Sequence, residues 1–426
     1  MRQTPYYVFD TDEFAKRAAM IRAALDCKGG RRIPLCFSIK ANPFLLHRLP
    51  EGLDHVEVCS PGELEICIAL GVEPESIIYS GVMKEKCDIE RAVSYGAGIL
   101  TCESIRHATL ISEVMSEGML EGMHETGFVE TKAQVILRLT SGNQFGMSLD
   151  DIEYIISHPD EFKGITVMGI HYYSGTQKSL RKINKDLEKI KSALTGLKEK
   201  YGFEPQLVEY GPGLCVEYFE DGWQEKEKQS LDEAAEVLRK FAEEYPLGIE
   251  MGRFLAASCG KYYTQVKDLK STGDANYAIL DGGIHHLNYF GQRMAMQVPP
   301  IIIYSTDEIY SDEKLGEIKG TAGPIGNTFN GCEVSEFTQS PDTDYTLCGS
   351  LCTVADVLVR EVKLKKLELG DVLEFGHCGA YSVTEAPALF LSRQLPAVYA
   401  YSKECGYECL REHIPAAEIN LAGKKL

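Results

Sequence analysis

Residues 165–211 read ITVMGIHYYSGTQKSLRKINKDLEKIKSALTGLKEKYGFEPQLVEYG and contain one complete unit of the pattern that decides the fold. A β-rich run opens the stretch at 165–175, and a second one closes it at 205–211. Between them, residues 180–202 carry apolar residues at roughly helical spacing and end in a glycine, a usual stop for a helix. The stretch therefore predicts a strand, a helix and a second strand.

The same alternation extends over residues 33–265. The predicted strands are PLCFSIKA (34–41), HVEVCS (55–60), SIIYSG (76–81), GILTCES (98–104), AQVILRLT (133–140), ITVMGIHYYSG (165–175), PQLVEYG (205–211) and YPLGIEMG (245–252). Helix-like segments such as GELEICIALG (62–71), DIERAVSYG (88–96) and IRHATLISEVMSE (105–117) lie between them. Eight strands with seven intervening helices predict an α/β fold, a (β/α)8 TIM barrel.

After residue 265 the pattern changes to short β-branched and aromatic segments with Gly, Pro and Asp breaks, which predict a mainly antiparallel β-domain. These segments are YYTQVKDLKS (262–271), ANYAILDGGI (275–284), PPIIIYS (299–305) and REVKLKKLELGDVLEFG (360–376). The opening PYYVFD is also strand-like, and the sequence leaves its domain open. The predicted domains are a barrel at 33–265 and a β-domain formed by 1–32 and 266–426.

Length, charge and cysteine content narrow the class of protein. The 426 residues exceed the usual size of one hydrophobic core, so two domains are expected. The net charge of −19 argues against a nucleic-acid partner and against docking on an anionic membrane. The N-terminus has no apolar core of signal-peptide length, and the 14 cysteines are scattered, so we expect a cytoplasmic protein with free thiols. No zinc-finger quartet accompanies these cysteines, and no metal site is predicted.

The ends of the predicted barrel strands carry chemically useful side chains, and in this fold the active site lies at those ends. Lys40 ends the first strand, where desolvation would suit its amine to imine formation, although a surface lysine fits the position too. Residues 209–213 read EYGPG, a turn that could bind phosphate or simply connect strand and helix. Next come Glu250, which could face a ring nitrogen, and Arg253, a natural phosphate clamp. Decarboxylation of an amino acid would use such groups around a pyridinium electron sink.

From FSIKANP (37–43) to GAYS (379–382), the motifs resemble those of fold-type III pyridoxal-phosphate enzymes, specifically the diaminopimelate/ornithine/arginine decarboxylase group. The resemblance covers nearly the whole chain and preserves the order of the motifs. It implies an alanine racemase/ornithine decarboxylase-like fold, pyridoxal 5'-phosphate as cofactor, and a homodimer with shared active sites. The implied reaction is the α-decarboxylation of an amino acid.

The resemblance also implies roles for individual residues. Lys40 would carry the cofactor as a Schiff base, and His171 would stack on its ring. Glu57 and Arg138 would lie close to the cofactor. Glu250 would pair with the ring nitrogen, where alanine racemases of this fold have an arginine. The phosphate would be held by Ser174, Gly211, Gly213, Arg253 and Tyr381.

Three further residues bear on the substrate. Cys352, in GSLCTVADVL, would reach the active site of the partner subunit and donate a proton. Thr353 stands where diaminopimelate decarboxylases usually have a glutamate that binds the distal amine of the substrate. Asp356 is the candidate to bind a distal amine in its place. The substrate therefore stays open between a free amino acid, such as diaminopimelate or ornithine, and an aminoacyl group of a carrier-protein, siderophore or polyamine pathway. An amino-acid racemase or epimerase and a non-catalytic regulator are the other readings of the sequence.

Overall fold

The computed structural model describes residues 2–26, 29–120, 132–305, 321–322 and 342–423. Its contacts divide the chain into two compact units, each described by itself below. One comprises residues 15–216 and 225–255, and the other comprises residues 1–14, 217–224 and 256–426.

The first unit contains a closed barrel, which within the described ranges has eight parallel strands in chain order. The strands are β2 (Leu35–Ser38), β3 (His55–Val58), β4 (Ile77–Tyr79), β5 (Ile99–Cys102), β6 (Ala133–Arg138), β7 (Ile165–Tyr173), β8 (Leu207–Gly211) and β9 (Leu247–Met251). Closure is made by β2 and β9, with Leu35 opposite Ile249. Each strand lies within one of the eight predicted runs, so the predicted barrel is confirmed.

Between the barrel strands, the described residues form six α-helices and three short 3-10 segments, where seven helices were predicted. The helices are α2 (Pro61–Ala69), α3 (Lys86–Tyr95), α4 (Ile105–Leu120), α5 (Leu149–Ser157), α6 (Leu180–Tyr201) and α7 (Trp223–Glu244). After β2 the chain instead forms two 3-10 turns, Ile39–Ala41 and Pro43–Arg48. Pro43 disfavours helical backbone at Asn42, which is extended and caps the second turn by accepting a bond from the Phe44 amide.

Helix α6 shows how the sequence pattern produces this layer. Its buried apolar residues, which include Ile183, Leu187, Ile190 and Leu194, recur at intervals of three and four and so form one face. The helix ends at Gly202, whose φ of 66° is a left-handed conformation that glycine adopts without strain. The predicted position of the stop is therefore confirmed.

The second unit is built on a 10-stranded, mostly antiparallel sheet within the described residues. Its strands are β1 (Tyr6–Asp10), β10 (Gly260–Thr272), β11 (Ala275–Leu280), β12 (Ile301–Tyr304), β13 (Thr321–Ala322), β14 (Thr343–Cys348), β15 (Val357–Leu364), β16 (Val372–Phe375), β17 (Ala397–Ser402) and β18 (Gly406–Arg411). Two short helices, α9 (Ser382–Glu385) and α10 (Ala416–Asn420), belong to it. Strand β1 pairs antiparallel with β10 and parallel with β17, which assigns PYYVFD to this sheet.

The two units differ from the predicted domain ranges at the first helix. Helix α1 (Thr11–Leu25) was expected in the β-domain, but from Ala15 onward it groups with the barrel unit. Arg17 donates to the Phe254 carbonyl and is paired with buried Glu227, so its charge is satisfied by barrel residues. The sequence of an amphipathic helix shows which of its faces is apolar. It does not show which part of the protein that face packs against. The predicted domain limits stay predictions.

Candidate active site

Lys40 lies in the turn Ile39–Ala41, directly after β2 at the carboxyl end of the barrel strands. Its Nζ is 2.8 Å from Glu57 Oε2 and 3.6 Å from Glu250 Oε1. Cys59 Sγ lies 3.5 Å from the same nitrogen. The Lys40 side chain is 33% exposed, whereas both carboxylates are buried. The barrel therefore presents one accessible amine between two buried acids.

Glu250, near the end of β9, is held in its ionised form. Ser38 Oγ donates to Oε1 at 2.9 Å, and His171 Nε2 lies 3.0 Å from Oε2. Burial raises the pKa of Glu250, but the charge of Lys40 and the bonds from His171 and Ser38 outweigh it and hold the pKa below the ordinary carboxyl range. A carboxylate of this kind is suited to keeping an opposing group protonated.

His171, on β7, is 2% exposed and uses one ring nitrogen to contact Glu250. Its Nδ1 is buried and has no hydrogen-bond partner among the described residues. Such orphaned buried atoms are rare in proteins and often mark a site that completes its contacts with a ligand.

Arg138, at the end of β6, forms a buried ion pair that was not predicted from the sequence. Its Nη1 is 2.7 Å from Glu103 Oε1, and the Gly146 amide donates to Glu103 Oε2 at 3.1 Å. The guanidinium lies 4.8 Å from the centre of the Phe145 ring. Glu103 directly follows β5, so applying the strand-end rule to every strand would have found it.

We expect Arg138→Met to lower the free energy of unfolding by about 3–5 kcal/mol, because it leaves the Glu103 charge buried without its ion pair. Urea unfolding monitored by circular dichroism measures this loss. Arg91→Met is the matched control, since Arg91 pairs with Glu65 on the surface, where both side chains are about half exposed. Equal stability changes in the two variants would contradict the structural role of the Arg138 pair.

The loop after β8 is shaped by glycines. Gly211 has no room for a side chain, because a Cβ there would lie 2.5 Å from a ring carbon of Tyr173. Gly213 has a φ of 58°, and its Cβ would lie 2.1 Å from the Gly175 carbonyl oxygen. Between the two glycines, Pro212 offers no N–H. The two glycines therefore let this loop pack closely against Tyr173 and Gly175.

Ser174 and Arg253 border the same end of the barrel, after β7 and at the start of the short helix α8 (Arg253–Ala256). Ser174 Oγ donates to Asp186 Oδ2 at 2.6 Å, and Lys178 Nζ lies 2.8 Å from that same oxygen. The ammonium also donates to the Gly211 carbonyl at 2.8 Å. No role was predicted from the sequence for Lys178 or Asp186, and no local sequence pattern indicates that they pair.

Glu209, on β8, is a buried carboxyl that the sequence reading did not use. Its Oε1 has no hydrogen-bond partner among the described residues. Burial, together with the charges of Glu250 and Glu57, raises its pKa well above 4.5. The absence of a side chain at Gly248 makes room for it, because a Cβ there would lie 2.5 Å from Glu209 Oε2. The folded protein therefore favours the protonated form of Glu209.

This raised pKa makes stability fall as the pH rises. Below pH 4.5 both folded and unfolded Glu209 are protonated, and above it only the unfolded chain ionises until the folded pKa is reached. Glu209→Gln removes this effect, so we expect the stability of the variant relative to wild type to improve by up to about 1.4 kcal/mol for each pH unit in that window. Urea unfolding at pH 5 and pH 8 measures it. A stability difference that is the same at both pH values would be inconsistent with a protonated Glu209.

The second unit holds Asp356, whose carboxylate folds its own loop. The group is buried and accepts bonds from the Ile284 amide at 2.8 Å and the Leu351 amide at 2.6 Å. Burial raises its pKa despite these bonds. A Cβ at Gly283 or Gly349 would lie 2.5 Å or less from its oxygens. Asp356 therefore anchors the turn that carries Cys352, and its predicted contact with substrate stays a prediction.

The other predicted residues of this unit lie on its surface or at a turn. Cys352 is an exposed free thiol, and Val354 beside it is 97% exposed. Thr353 Oγ1 accepts a bond from the Ala355 amide. Tyr381 precedes α9 with a φ of 68°, a strained conformation for a non-glycine residue that is often associated with functional sites. The predicted site residues are thus divided between two units, with those of the barrel described above lying at one end of its strands.

The residue ranges that the structure describes also bear on metal binding and on membrane crossing. There, no group of three or more His, Cys, Asp or Glu side chains is arranged to hold a metal ion. In the same ranges, no helix has both the length and the apolar character needed to cross a bilayer.

Comparison with known proteins identifies residues 11–257 with the family model described as "Pyridoxal-dependent decarboxylase, pyridoxal binding domain". The match spans more than half of the chain. It includes the barrel strands and the residues around Lys40.

Individual relatives agree in fold and differ in substrate. A diaminopimelate decarboxylase of Zymomonas mobilis is 25% identical over 92% of this chain and 86% of that protein. An L-glutamyl-(BtrI acyl-carrier protein) decarboxylase of Niallia circulans is 25% identical over 98% of this chain and 93% of its own. The crystal structure of diaminopimelate decarboxylase from M. jannaschii in co-complex with L-lysine superposes with a TM-score of 0.76 at 22% identity, covering 99% of this chain and 92% of that one.

Proposed function

This chain belongs to the family of pyridoxal-dependent decarboxylases, and from that premise we propose that it removes the α-carboxyl group of an amino acid with its cofactor held on Lys40. The observation that carries the proposal is the placement of the Lys40 amine between the buried carboxylates of Glu57 and Glu250 at the carboxyl end of the barrel. This arrangement provides both an amine for imine formation and an acid to face a heterocycle.

The residues present fit pyridoxal 5'-phosphate. The orphaned Nδ1 of His171 is a buried polar atom in need of a partner, and it lies on the strand next to the glycine turn at Gly211 and Gly213. When bound, the cofactor supplies an electron sink for the electron pair left as CO2 departs. Lys40 would hold its aldehyde carbon. Its phosphate would be held by Ser174, Gly211, Gly213 and Arg253 of the barrel unit, and the predicted role of Tyr381 stays a prediction.

Glu250 bears on whether an enzyme of this fold carries out decarboxylation or racemisation. Held ionised by its neighbours, it would keep a proton on the ring nitrogen. A protonated ring would stabilise the electron pair left at Cα as CO2 departs, whereas the arginine that alanine racemases of this fold have at this position would not keep the ring protonated. His171, hydrogen-bonded to Glu250, would support the ring face, and Glu57 and Arg138 would lie close to the cofactor.

Cys352 is proposed as the acid that returns a proton to Cα after CO2 leaves. Its exposed position on a turn anchored by Asp356 suits a side chain that reaches into the active site of a partner subunit. This assignment requires a homodimer with shared sites, which is part of the proposal. A cytoplasmic location stays a prediction.

The substrate class rests on two candidates. The first is a free amino acid of the diaminopimelate or ornithine type, with Asp356 as a partner for a distal amine. The second is a larger or carrier-tethered aminoacyl group, favoured by Thr353, which cannot supply a negative charge, and by the match to the Niallia circulans carrier-protein decarboxylase over 98% of this chain.

A kcat/KM profile of the cofactor-loaded protein separates these candidates. The panel contains meso-diaminopimelate, ornithine, lysine, arginine and glutamate as free acids, and glutamate and ornithine as thioesters of an acyl-carrier protein. The free-acid candidate predicts CO2 release from one of the first group. Release from thioesters alone would establish the second candidate. A protein that forms no imine with the cofactor would instead revive the non-catalytic reading.

A further inference from the structure

Lys178 places a buried ammonium group between the two loops proposed to hold the cofactor phosphate. The residue is 3% exposed. Its Nζ lies 3.2 Å from Ser174 Oγ, in the loop after β7, and 2.8 Å from the Gly211 carbonyl, at the end of β8. Its backbone amide donates to the Gly213 carbonyl at 2.9 Å. One residue therefore contacts all three barrel-loop residues of the proposed cradle other than Arg253.

Two donors expected at this cradle are weakened in this chain. The single proton of the Ser174 hydroxyl is directed at Asp186 Oδ2, 2.6 Å away. Pro212 has no N–H between the two glycines. A phosphate group carries close to two negative charges at neutral pH and needs donors or positive charge to offset its desolvation. The three ammonium protons of Lys178 are directed at Ser174, Asp186 and the Gly211 carbonyl, so at this corner the residue adds positive charge.

Asp186 is the counter-charge of Lys178, with its Oδ2 2.8 Å from the Lys178 Nζ. Burial lowers the pKa of the Lys178 ammonium, and the hydrogen bond and charge of Asp186 oppose that shift without cancelling it. Asp186 also accepts from Tyr210 at 3.1 Å, so its carboxylate has three donors. A buried cation that pairs with one aspartate, contacts the Ser174 hydroxyl in one loop and has backbone contacts in the other suits an electrostatic and positioning role more than a purely structural one.

We propose that Lys178 is a positioning residue for the cofactor phosphate: its ammonium joins the loops after β7 and β8 and supplies positive charge to the group bound between them. The inference rests on the proposed function, because it assumes that these loops hold the phosphate. It assigns to Lys178 no contact with the reacting atoms of the substrate.

The test compares pyridoxal 5'-phosphate with pyridoxal, which has the same aldehyde and ring but no phosphate. Dissociation constants are measured by titrating the purified, cofactor-stripped protein and following the imine absorbance. We expect Lys178→Met to weaken binding of pyridoxal phosphate about 10–100-fold, the effect of losing an interaction with a charged group, and to change pyridoxal binding less than about 2-fold. Lys185→Met, an exposed position on α6, is the matched control and should leave both constants unchanged.

A second variant guards against damage from the partner charge, since Lys178→Met leaves Asp186 buried beside the loops. Lys178→Met/Asp186→Asn removes both charges and should keep the phosphate-specific loss. Equal weakening of both ligands in Lys178→Met, or full recovery of phosphate binding in the double variant, would overturn the inference alone. Failure of the wild-type protein to form an imine with either ligand would overturn the proposed function and this inference with it.

Discussion

Replacing Lys40 by alanine is expected to abolish the imine absorbance of the cofactor-loaded protein and to lower CO2 release by at least about 10³-fold, the scale on which loss of a covalent catalyst acts. The amine at this position is accessible, whereas Glu57 and Glu250 beside it are buried. An alanine leaves these acids in place and removes only the group that can bond the cofactor aldehyde. The absorbance spectrum and a borohydride trap followed by peptide mass spectrometry measure the result.

The same substitution has a second expected consequence. Without the ammonium, the carboxylates of Glu57 and Glu250 lose a shared counter-charge, so the cofactor-free variant should be less stable than wild type. Circular dichroism must therefore show that it is folded before its spectrum is interpreted. Lys185→Ala, an exposed lysine, serves as control. A folded Lys40→Ala protein that retains the imine band, or a borohydride adduct on another lysine of the wild type, would refute the assignment.

Cys352→Ala is expected to lower turnover by about 10²–10⁴-fold, the contribution typical of a general acid, while leaving the cofactor dissociation constant unchanged. The thiol is exposed and lies on a turn that Asp356 fixes through two backbone amides. Alanine removes the ionisable proton and disturbs little else in that turn. Steady-state CO2 release and a cofactor titration separate the two effects. Cys405→Ala provides an exposed-cysteine control. Normal turnover by Cys352→Ala would remove its proton-donor role.

Mixing the two inactive variants tests whether the site is shared. In a homodimer whose sites each combine Lys40 of one subunit with Cys352 of the other, a Lys40→Ala and Cys352→Ala hybrid has one intact site. Random exchange makes half of the dimers hybrid, so about a quarter of wild-type activity should return. Subunit exchange is verified with differently tagged proteins. Demonstrated exchange without recovery would establish a self-contained site instead.

The barrel could be predicted because its strands leave a local signature. Buried parallel strands are short, nearly continuous apolar runs, and each of the eight runs became a barrel strand. Residues at the ends of such strands meet at one edge, which allowed Lys40 and Glu250 to be selected from widely separated parts of the chain, while the family resemblance added His171. The structure brings these three together through Glu250, which lies 3.6 Å from Lys40 and 3.0 Å from His171.

What the sequence could not provide are pairings set by packing. Arg138 and Glu103 lie 35 residues apart, and no local pattern joins them. The Lys178 and Asp186 pair is closer in sequence, but it depends on the loop before α6 lying against the end of β8, where Lys178 donates to the Gly211 carbonyl. Asp356 is the clearest case, since its motif suggested a partner for a distal amine, whereas the structure shows its carboxylate accepting bonds from two backbone amides. The chemical type of a side chain can be read from the sequence, whereas the residues that pair with it are set by the fold.

The central claim, α-decarboxylation at the Lys40 site, is tested most directly by following both carbons of the bond that breaks. The loaded protein is incubated in deuterium oxide with the best substrate of the panel, labelled with carbon-13 in its carboxyl group. We predict one labelled CO2 molecule for each amine formed and one deuterium at the product Cα. The Lys40→Ala variant should give neither labelled CO2 nor deuterated product. Deuterium at Cα of an amino acid that keeps its labelled carboxyl group would show a racemase and contradict the account.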